Sequence, residues 1–303
     1  MAHKSSGIYV EIRIQDDLEN IWRLTQEPAL HQRWDLRFTR IEYLPRPDLS
    51  QPQEFLYETR IGFGMAIRGT GESIATRGAA DGDTSSALKF RSQDPKSLIR
   101  EGSGYWRYVP TAAGLRFFTW YDYTVRFGLL GRLVDRLAFR PLMGWATAWS
   151  FDRMRLWAEE GQTPEVSIAF ALIHGTARLC IAGVWIWHGL VPKLLFHSLD
   201  EQAMVLQSGL PLSSLPIIGG LEVLFGIAIL CLWRARAIFP ANLVLMFLAL
   251  IAVWVNSPAY VTAAFNPVSL NMAVIALSVV GWIASNWLPS ASRCLRIAPR
   301  EHS

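Results

Sequence analysis

The sequence predicts an antiparallel β-sheet packed on a long helix, followed by a bundle of four membrane-spanning helices. Three observations support this fold class. Charged residues are frequent up to Glu165, with 22 Lys or Arg and 21 Asp or Glu, but only seven fall in residues 166–289. Alternating apolar and polar residues recur in the first half, and four long apolar runs occupy the second. We therefore place domains at 1–163 and 164–290, with a basic cytosolic tail at 291–303.

The first domain begins with a strand and a helix and then continues through several strands to a long helix. Residues 7–14 alternate as a half-buried strand does, and Asp16-Asp17 can cap the helix that follows. A hairpin turn is expected at Asp81-Gly82, and Pro141 should kink or break the helical pattern of about 128–160. Further strand-like runs cover residues 37–44, 53–62, 65–76, 86–93, 99–109 and 114–126.

This order of elements resembles the helix-grip fold of the START-like (SRPBCC) superfamily, and so do Ile21-Trp22 and Gln32-x-Trp34. The resemblance covers about residues 7–160. It implies an apolar cavity between a curved sheet and the terminal helix. Relatives use this cavity to bind lipids, sterols, polyketides or hormones, and some catalyse reactions on them.

Aromatic side chains on the late strands and the terminal helix are the candidate ligand contacts. They alternate along the strands or recur along the helix, and large rings with hydroxyl groups suit an apolar ligand with a few polar groups. The same rings could simply fill the core, so both interpretations stay open. The candidate cavity residues are Trp106, Tyr108, Phe117, Tyr121, Tyr123, Trp145 and Trp149.

Catalytic motifs are sparse in this half. His31 and Asp35 are four residues apart and could form an acid/base pair, but such a pair recurs by chance and is more often a surface or helix-end feature. Neither a Ser/His/Asp arrangement nor a zinc-ligand spacing is present in the sequence. The glycines at 62, 64, 69 and 71 favour sheet bends over a phosphate loop. We therefore name no catalytic residue and favour a binding function.

A basic amphipathic stretch precedes the second half. Its apolar side could lie on anionic lipid at the inner leaflet or could close the core of the first domain. It contains Arg126, Arg132, Arg136 and Arg140 beside Leu129, Leu130, Leu133, Val134 and Leu137.

Four apolar runs in the second half each have roughly the 20 residues that cross a bilayer. They cover about 168–190, 215–233, 239–258 and 268–288. Arginines lie before the first run, between the second and third, and after the fourth, so the positive-inside rule places both termini in the cytosol. The first ten residues lack the apolar core of a cleavable signal peptide. We expect a multi-pass protein of a bacterial inner membrane.

The stretch from Arg178 to Phe196, which contains Trp185-x-x-His188-Gly-Leu-Val-Pro-Lys193, resembles the DoxX-like family of integral membrane proteins. The resemblance covers about residues 166–290 and implies a four-helix membrane domain. Some members of that family are associated with quinone-linked sulfur oxidation, but most have no defined reaction. The resemblance therefore implies a fold more than a function.

Polar side chains inside the spans form a second candidate site. His174, Arg178 and His188 share one face of the first helix. An arginine in the bilayer costs about 2.5–3.5 kcal/mol on insertion scales, so we expect it to pair with Glu222, the only acidic residue within the four runs. Lys193 should reach the lipid headgroups. The pair could be structural or could belong to a ligand, proton or quinone site.

Three functions are compatible with the sequence. The favoured one is binding, transfer or sensing of a hydrophobic small molecule. The second is a subunit of a quinone-linked redox complex that works with a redox partner protein. The third is a membrane-tethered cyclase-like enzyme, for which the sequence lacks a convincing acid/base pair.

Cofactor and partner expectations follow from the same residues. Every histidine within the spans lies on the first helix, which argues against haem ligated from both sides, whereas a quinone fits a polar site in the bundle. The formal net charge is +4, but the surplus arginines flank the apolar runs. Membrane lipids and an apolar small molecule are therefore the expected partners, and nucleic acid is not.

Overall fold

The computed structural model describes residues 7–48, 50–76 and 84–298. Two compact units emerge from the contacts. The first contains the residues up to Ser167 together with those from Pro289 onward, and the second is Ile168–Leu288. The turn predicted at Asp81-Gly82 lies outside the described residues.

Seven antiparallel strands form the sheet of the first unit in the order β1-β7-β6-β5-β4-β3-β2. Each predicted run overlaps one strand. The strands are β1 Ile8–Ile14, β2 Arg40–Tyr43, β3 Gln53–Gly62, β4 Met65–Thr76, β5 Thr84–Arg91, β6 Ile99–Thr111 and β7 Gly114–Val125.

Two short helices, α1 (Leu18–Gln26) and α2 (Pro28–Trp34), connect β1 to β2. The predicted cap is present, since the Asp17 carboxylate accepts a hydrogen bond of 2.7 Å from the amide of Asn20. Trp34 is fully buried, and its indole Nε1 donates to the carbonyl of Leu24 at 2.8 Å. This bond joins α2 to the end of α1.

The long helical region after β7 is interrupted, as Pro141 predicts. It contains α3 (Gly128–Val134), a π-helical turn (Asp135–Phe139) and α4 (Arg140–Glu160). Proline has no amide hydrogen and is best tolerated in a first helical turn, which is where Pro141 lies in α4. Helix α4 packs on β1, α1 and α2, and the core between helix and sheet contains Val10, Ile14, Phe117 and Phe151. The predicted helix-grip fold class is confirmed.

Residues near the chain's end pack on the first unit. The amide of Glu11 donates to the carbonyl of Leu295 at 2.9 Å, and Cys294 is buried in the core. The fully buried carboxylate of Asp152 accepts from the amide of Ser290 at 2.6 Å and from Arg293 Nη1 at 3.0 Å. The described part of the predicted tail thus completes the first unit, and a fragment ending at residue 163 would lack these contacts.

The second unit consists of apolar helices. Helix α5 (Pro164–His188) enters it and continues as a π-helical turn (Gly189–Leu195). The other helices are α6 Leu199–Gln207, α7 Leu215–Cys231, α8 Ile238–Asn256 and α9 Pro267–Ala284. Four helical segments are long and apolar enough to span a membrane, in agreement with the four predicted runs: Pro164–Leu195, Leu212–Cys231, Ile238–Asn256 and Pro267–Arg293.

A chain of polar side chains joins three of these helices. Trp185 on α5 donates its indole hydrogen to Asn242 on α8 at 2.6 Å, and the Asn242 amide donates to Ser278 on α9 at 2.6 Å. Helices in lipid gain little from hydrophobic association, so such bonds help to fix which helices are neighbours.

Candidate functional site

A cavity of about 120 Å³ lies on the inner side of the sheet in the first unit. Residues of α1, α2, α4 and strands β2 to β7 contribute to its wall. The wall is mostly apolar, with a few polar groups that converge on it. Its large apolar contributors are Phe38, Ile41, Phe55, Leu88, Phe90, Trp106 and Met143.

Two glycines on β4 make room for aromatic rings of the cavity wall. A Cβ atom at Gly71 would lie 2.2 Å from Cζ of Phe55, and one at Gly69 would lie 2.3 Å from Cζ of Tyr57. Both rings belong to β3 and line the cavity. Glycine is needed here because the rings lie directly over the neighbouring strand.

The polar part of the wall is organised by a buried carboxylate. The Asp35 side chain is fully buried, and Arg37 donates to it from Nε at 2.9 Å and from Nη2 at 2.6 Å. Burial alone would raise the pKa of Asp35, but the charge of Arg37 and the hydrogen bonds from His31 and Arg37 outweigh burial and hold this pKa well below its usual range. The Asp35–Arg37 pair is therefore ionised at neutral pH.

His31 is the other partner of Asp35. Its Nε2 lies 3.1 Å from Asp35 Oδ2, and its ring stacks on Trp34 and meets the edge of Trp106, each at 5.0 Å between centroids. Burial lowers the pKa of His31 despite the opposing effect of Asp35. A neutral imidazole that donates Nε2–H to Asp35 retains Nδ1 as a hydrogen-bond acceptor.

Two tyrosines complete the polar wall. The Tyr121 hydroxyl lies 2.9 Å from the Thr147 hydroxyl, and the Arg37 guanidinium lies 5.4 Å from the centre of the Tyr121 ring. Burial raises the pKa of Tyr57 to about 12, and its hydroxyl donates to the carbonyl of Arg91 at 3.4 Å. Arg37, His31 and Tyr121 thus bring polar groups to one largely apolar cavity.

The structure brings only two of the seven predicted cavity residues, Trp106 and Tyr121, to this cavity. Tyr108 and Phe117 are fully buried but lie in the core instead. The hydroxyl of Tyr108 is 2.7 Å from that of Thr25, so α1 covers this part of the sheet. Phe117 packs on Phe151 of α4, with 4.7 Å between ring centroids.

The remaining three predicted cavity residues also lie elsewhere. The Tyr123 hydroxyl donates to Asp135 at 2.7 Å. Trp145 is exposed, and Trp149 stacks on it at 6.2 Å while packing against the core. Strand alternation identifies the inner face of a sheet, but it does not tell which part of that face a helix covers.

Arg37 is a charged site residue that the sequence did not reveal. A surface role for His31 and Asp35 is wrong, because both side chains are buried and His31 lines the cavity. The helix-end role is correct, since His31 lies in the last turn of α2 and Asp35 is its C-cap. The available signal was the Asp35 carboxylate with a histidine four residues before it and an arginine two residues after it.

The predicted pairing of Arg178 with Glu222 is wrong. Arg178 is fully buried, and its guanidinium donates to the carbonyls of Ile229 at 2.7 Å, Leu232 at 3.0 Å and Ala235 at 2.8 Å. Its Nε also donates to Nε2 of His174 at 3.1 Å. The carbonyls of Ile229 and Leu232 lie at the C-terminal end of α7, where the helix dipole favours a cation, and Ala235 lies in the connection to α8.

Glu222 instead pairs with Lys193. The Lys193 ammonium lies 3.0 Å from Glu222 Oε2, 3.2 Å from Glu201 Oε1 and 3.3 Å from the carbonyl of His188. Lys193 is buried, so it does not extend freely to the headgroups as predicted. The five predicted polar residues of the spans therefore form two groups, with His174 and Arg178 in one and His188, Lys193 and Glu222 in the other.

Comparison with known proteins finds one family model, one similar membrane protein and several solved structures of similar fold. The DoxX-like family model matches residues 182–279, which confirms that resemblance. The uncharacterized membrane protein YndG of Bacillus subtilis (strain 168) is 42% identical over 250 residues, which span 78% of this chain and 92% of YndG.

Solved structures match the first half. The di-domain ARO/CYC protein StfQ from the steffimycin biosynthetic pathway is 16% identical over 51% of each chain, with a TM-score of 0.39. A STAR-related lipid transfer protein from Xanthomonas axonopodis is 15% identical over 48% of this chain and 92% of that one, with a TM-score of 0.36.

We predict that His31→Gln flattens the pH dependence of stability. Because the folded-state pKa of His31 is below its unfolded value of about 6.5, neutral His31 favours the folded state above that pH. This contribution is lost as the pH falls through the folded-state pKa. The advantage of wild type over His31→Gln in thermal unfolding midpoint should shrink on acidification, and a constant difference would contradict this assignment.

We also predict that Lys193 and Glu222 are energetically coupled. Lys193→Met or Glu222→Leu alone leaves a buried charge with fewer partners, whereas the double variant removes both charges. A double-mutant cycle on unfolding in detergent should give a coupling on the order of 1–2 kcal/mol. The matched cycle on Arg178 and Glu222 should be additive, and coupling there instead would restore the pairing that the sequence favoured.

Proposed function

This chain belongs to the same family as the membrane protein YndG of Bacillus subtilis, and on that premise we propose that it binds a small apolar molecule in the cavity of its first unit. The observation that carries the proposal is the cavity itself, an aromatic-lined space with one ion pair fixed at its wall. Protein sites for small ligands typically combine such an apolar lining with few, well-placed polar groups. The DoxX-like domain would keep the binding unit at the membrane.

The size and polarity of the cavity define the ligand class. Drug-sized ligands occupy roughly 300–1,000 Å³, whereas about 120 Å³ is closer to the space that holds one benzene-sized ring. Asp35 takes two of the five N–H groups of Arg37. We infer a ligand with a single ring or short apolar body and one oxygen group that accepts from Arg37.

The charge state of the wall refines this inference. Asp35 and Arg37 neutralise each other, and burial favours the neutral form of His31. A carbonyl or hydroxyl oxygen can bind without adding charge to the cavity, while a carboxylate would compete with Asp35 for the guanidinium. Neutral oxygen groups should therefore bind better than anionic ones of the same size.

Catalysis on the bound molecule is a second candidate function, favoured by one observation. His31 lies within hydrogen-bonding distance of a buried carboxylate and lines the cavity, which is how a general base is commonly oriented. This pair supplies what the cyclase-like interpretation lacked in the sequence. The quinone-linked alternative has less support, because Arg178 is bonded to backbone carbonyls and Glu222 to Lys193.

We place the protein in a bacterial inner membrane with both termini in the cytosol, on the basis of the arginines that flank the spans. The loop at 260–266 carries no charge and should lie outside. Reporter fusions after residues 163, 236 and 298 should report the cytosol, and a fusion at 262 should report the outside. A cytosolic signal from the fusion at 262 would contradict this topology.

Binding can be tested with the full-length protein in lipid nanodiscs, with benzyl alcohol as the probe and benzoate as its charged counterpart. Calorimetric titration should detect benzyl alcohol binding, and benzoate should bind on the order of tenfold more weakly, equivalent to about 1.4 kcal/mol. Leu88→Trp should abolish binding, because the larger side chain fills the cavity that Leu88 lines.

Leu56→Trp is the matched control, since Leu56 is an exposed leucine of β3 outside the cavity lining. It should bind benzyl alcohol as wild type does. Circular dichroism would establish that both variants are folded. Equal binding by wild type and folded Leu88→Trp would show that the cavity is not the binding site.

A further inference from the structure

The helical segment between β7 and α4 exposes its apolar residues and buries its acidic one. Leu129, Leu130 and Leu137 are 79%, 68% and 69% exposed, whereas Asp135 is only 7% exposed. We call the exposed set the leucine face; it consists of Leu129, Leu130, Leu133, Val134, Leu137 and Leu142. The interpretation that this apolar side closes the core of the first domain is therefore wrong.

Polar contacts hold the segment in this orientation. Asp135 accepts from the Tyr123 hydroxyl at 2.7 Å and from Arg140 Nε at 3.0 Å, and Arg140 also donates to Asp122 at 2.8 Å. Turning the leucines inward would break these bonds and expose the carboxylate. A Cβ atom at Gly131 would lie 1.8 Å from the carbonyl oxygen of Arg126, so the helix also packs tightly against the preceding backbone.

The charges beside the leucine face are positive. Arg132 and Arg136 are exposed, and Asp135, the acidic residue of this segment, is buried with its partners. An apolar face flanked by exposed arginines is typical of helices that lie in the interface of an anionic bilayer.

We propose that the leucine face inserts into the headgroup region of an anionic lipid bilayer. The chain itself supplies a bilayer, because the first membrane-spanning segment begins at Pro164, which follows Leu142, the last residue of the face, by about 20 residues. A symmetric contact between two copies would bring Arg132 and Arg136 of one copy close to those of the other, which like-charge repulsion opposes. Lipid is therefore the better-matched occupant.

The leucine face is continuous in sequence with a residue of the cavity wall. Met143 follows Leu142 directly in α4 and lines the cavity wall. The helical stretch that carries the leucine face thus also contributes a side chain to the cavity wall. The lipid contact itself does not depend on whether the cavity binds a ligand.

The full-length protein in liposomes provides the test. A single cysteine is introduced as Leu130→Cys or Leu137→Cys after Cys180, Cys231 and Cys294 have been replaced, and it is labelled with an environment-sensitive fluorophore. Leu56→Cys is the matched control, an exposed leucine on β3 that is 41% exposed. Liposomes are made from phosphatidylcholine with or without phosphatidylglycerol.

Labels at 130 and 137 should be quenched several-fold more by brominated lipid than the label at 56, and several-fold less by aqueous iodide. Phosphatidylglycerol should increase the lipid quenching, and Arg132→Gln with Arg136→Gln should remove this increase. The corresponding change at Arg40 and Arg68, exposed arginines elsewhere in the first unit, should not remove it.

The proposal would be overturned by two results together: iodide quenches the labels at 130 and 137 as strongly as the label at 56, and brominated lipid quenches none of them. Energy transfer between labels on two copies, without lipid quenching, would overturn it as well and would assign the face to a second copy. If Leu130→Cys fails to fold, Leu137→Cys alone keeps both outcomes measurable.

Discussion

Buried charge is the constraint on which the arrangement of this protein depends. A charged group that leaves water loses several kcal/mol of hydration unless an opposite charge or an oriented dipole replaces it. Arg153 meets this need by donating to the carbonyls of Arg33, Trp34 and Pro164, and Arg178 does so at the end of α7. In both cases a buried guanidinium donates to three backbone carbonyls, some of which lie at the C-terminal end of a helix.

The same constraint shapes the cavity. Asp35 can be fully buried only because Arg37 and His31 approach it, and their approach fixes two side chains at the wall of an apolar space. The polar groups are therefore positioned before any ligand arrives, which reduces the entropic cost of binding. One set of contacts thus meets a folding requirement and would preorganise the ligand site that we propose.

Buried carboxylates also set the surface of the first unit. Asp135 draws Tyr123 and Arg140 inward, and the leucines on the other side of the helix are left exposed on the surface of the first unit. Asp152 holds Ser290 and Arg293, so the residues that follow the last span become part of the first unit. Three buried aspartates thus position the cavity wall, the leucine face and the residues after the last span. The partners of Asp35 and Asp135 lie within 12 residues in sequence, whereas Ser290 and Arg293 are 138 and 141 residues away from Asp152.

The sequence by itself determined the elements of this protein. Apolar runs of sufficient length specify four spans, and alternation specifies the strands. Asp17 specifies a helix start, and Pro141 specifies an irregularity in the long helical region. Each of these depends on residues close together in the chain. Only the tertiary structure decided the partners. The expected pairing of Arg178 with Glu222 rests on Glu222 being the only acidic residue within the runs. This observation gives neither the direction of the two side chains around the helix axis nor the competing partners, which are backbone carbonyls for Arg178 and the ammonium of Lys193 for Glu222. Likewise, alternation put Tyr108 and Trp106 on one face, and the packing of α1 decided that the first fills the core and the second lines the cavity.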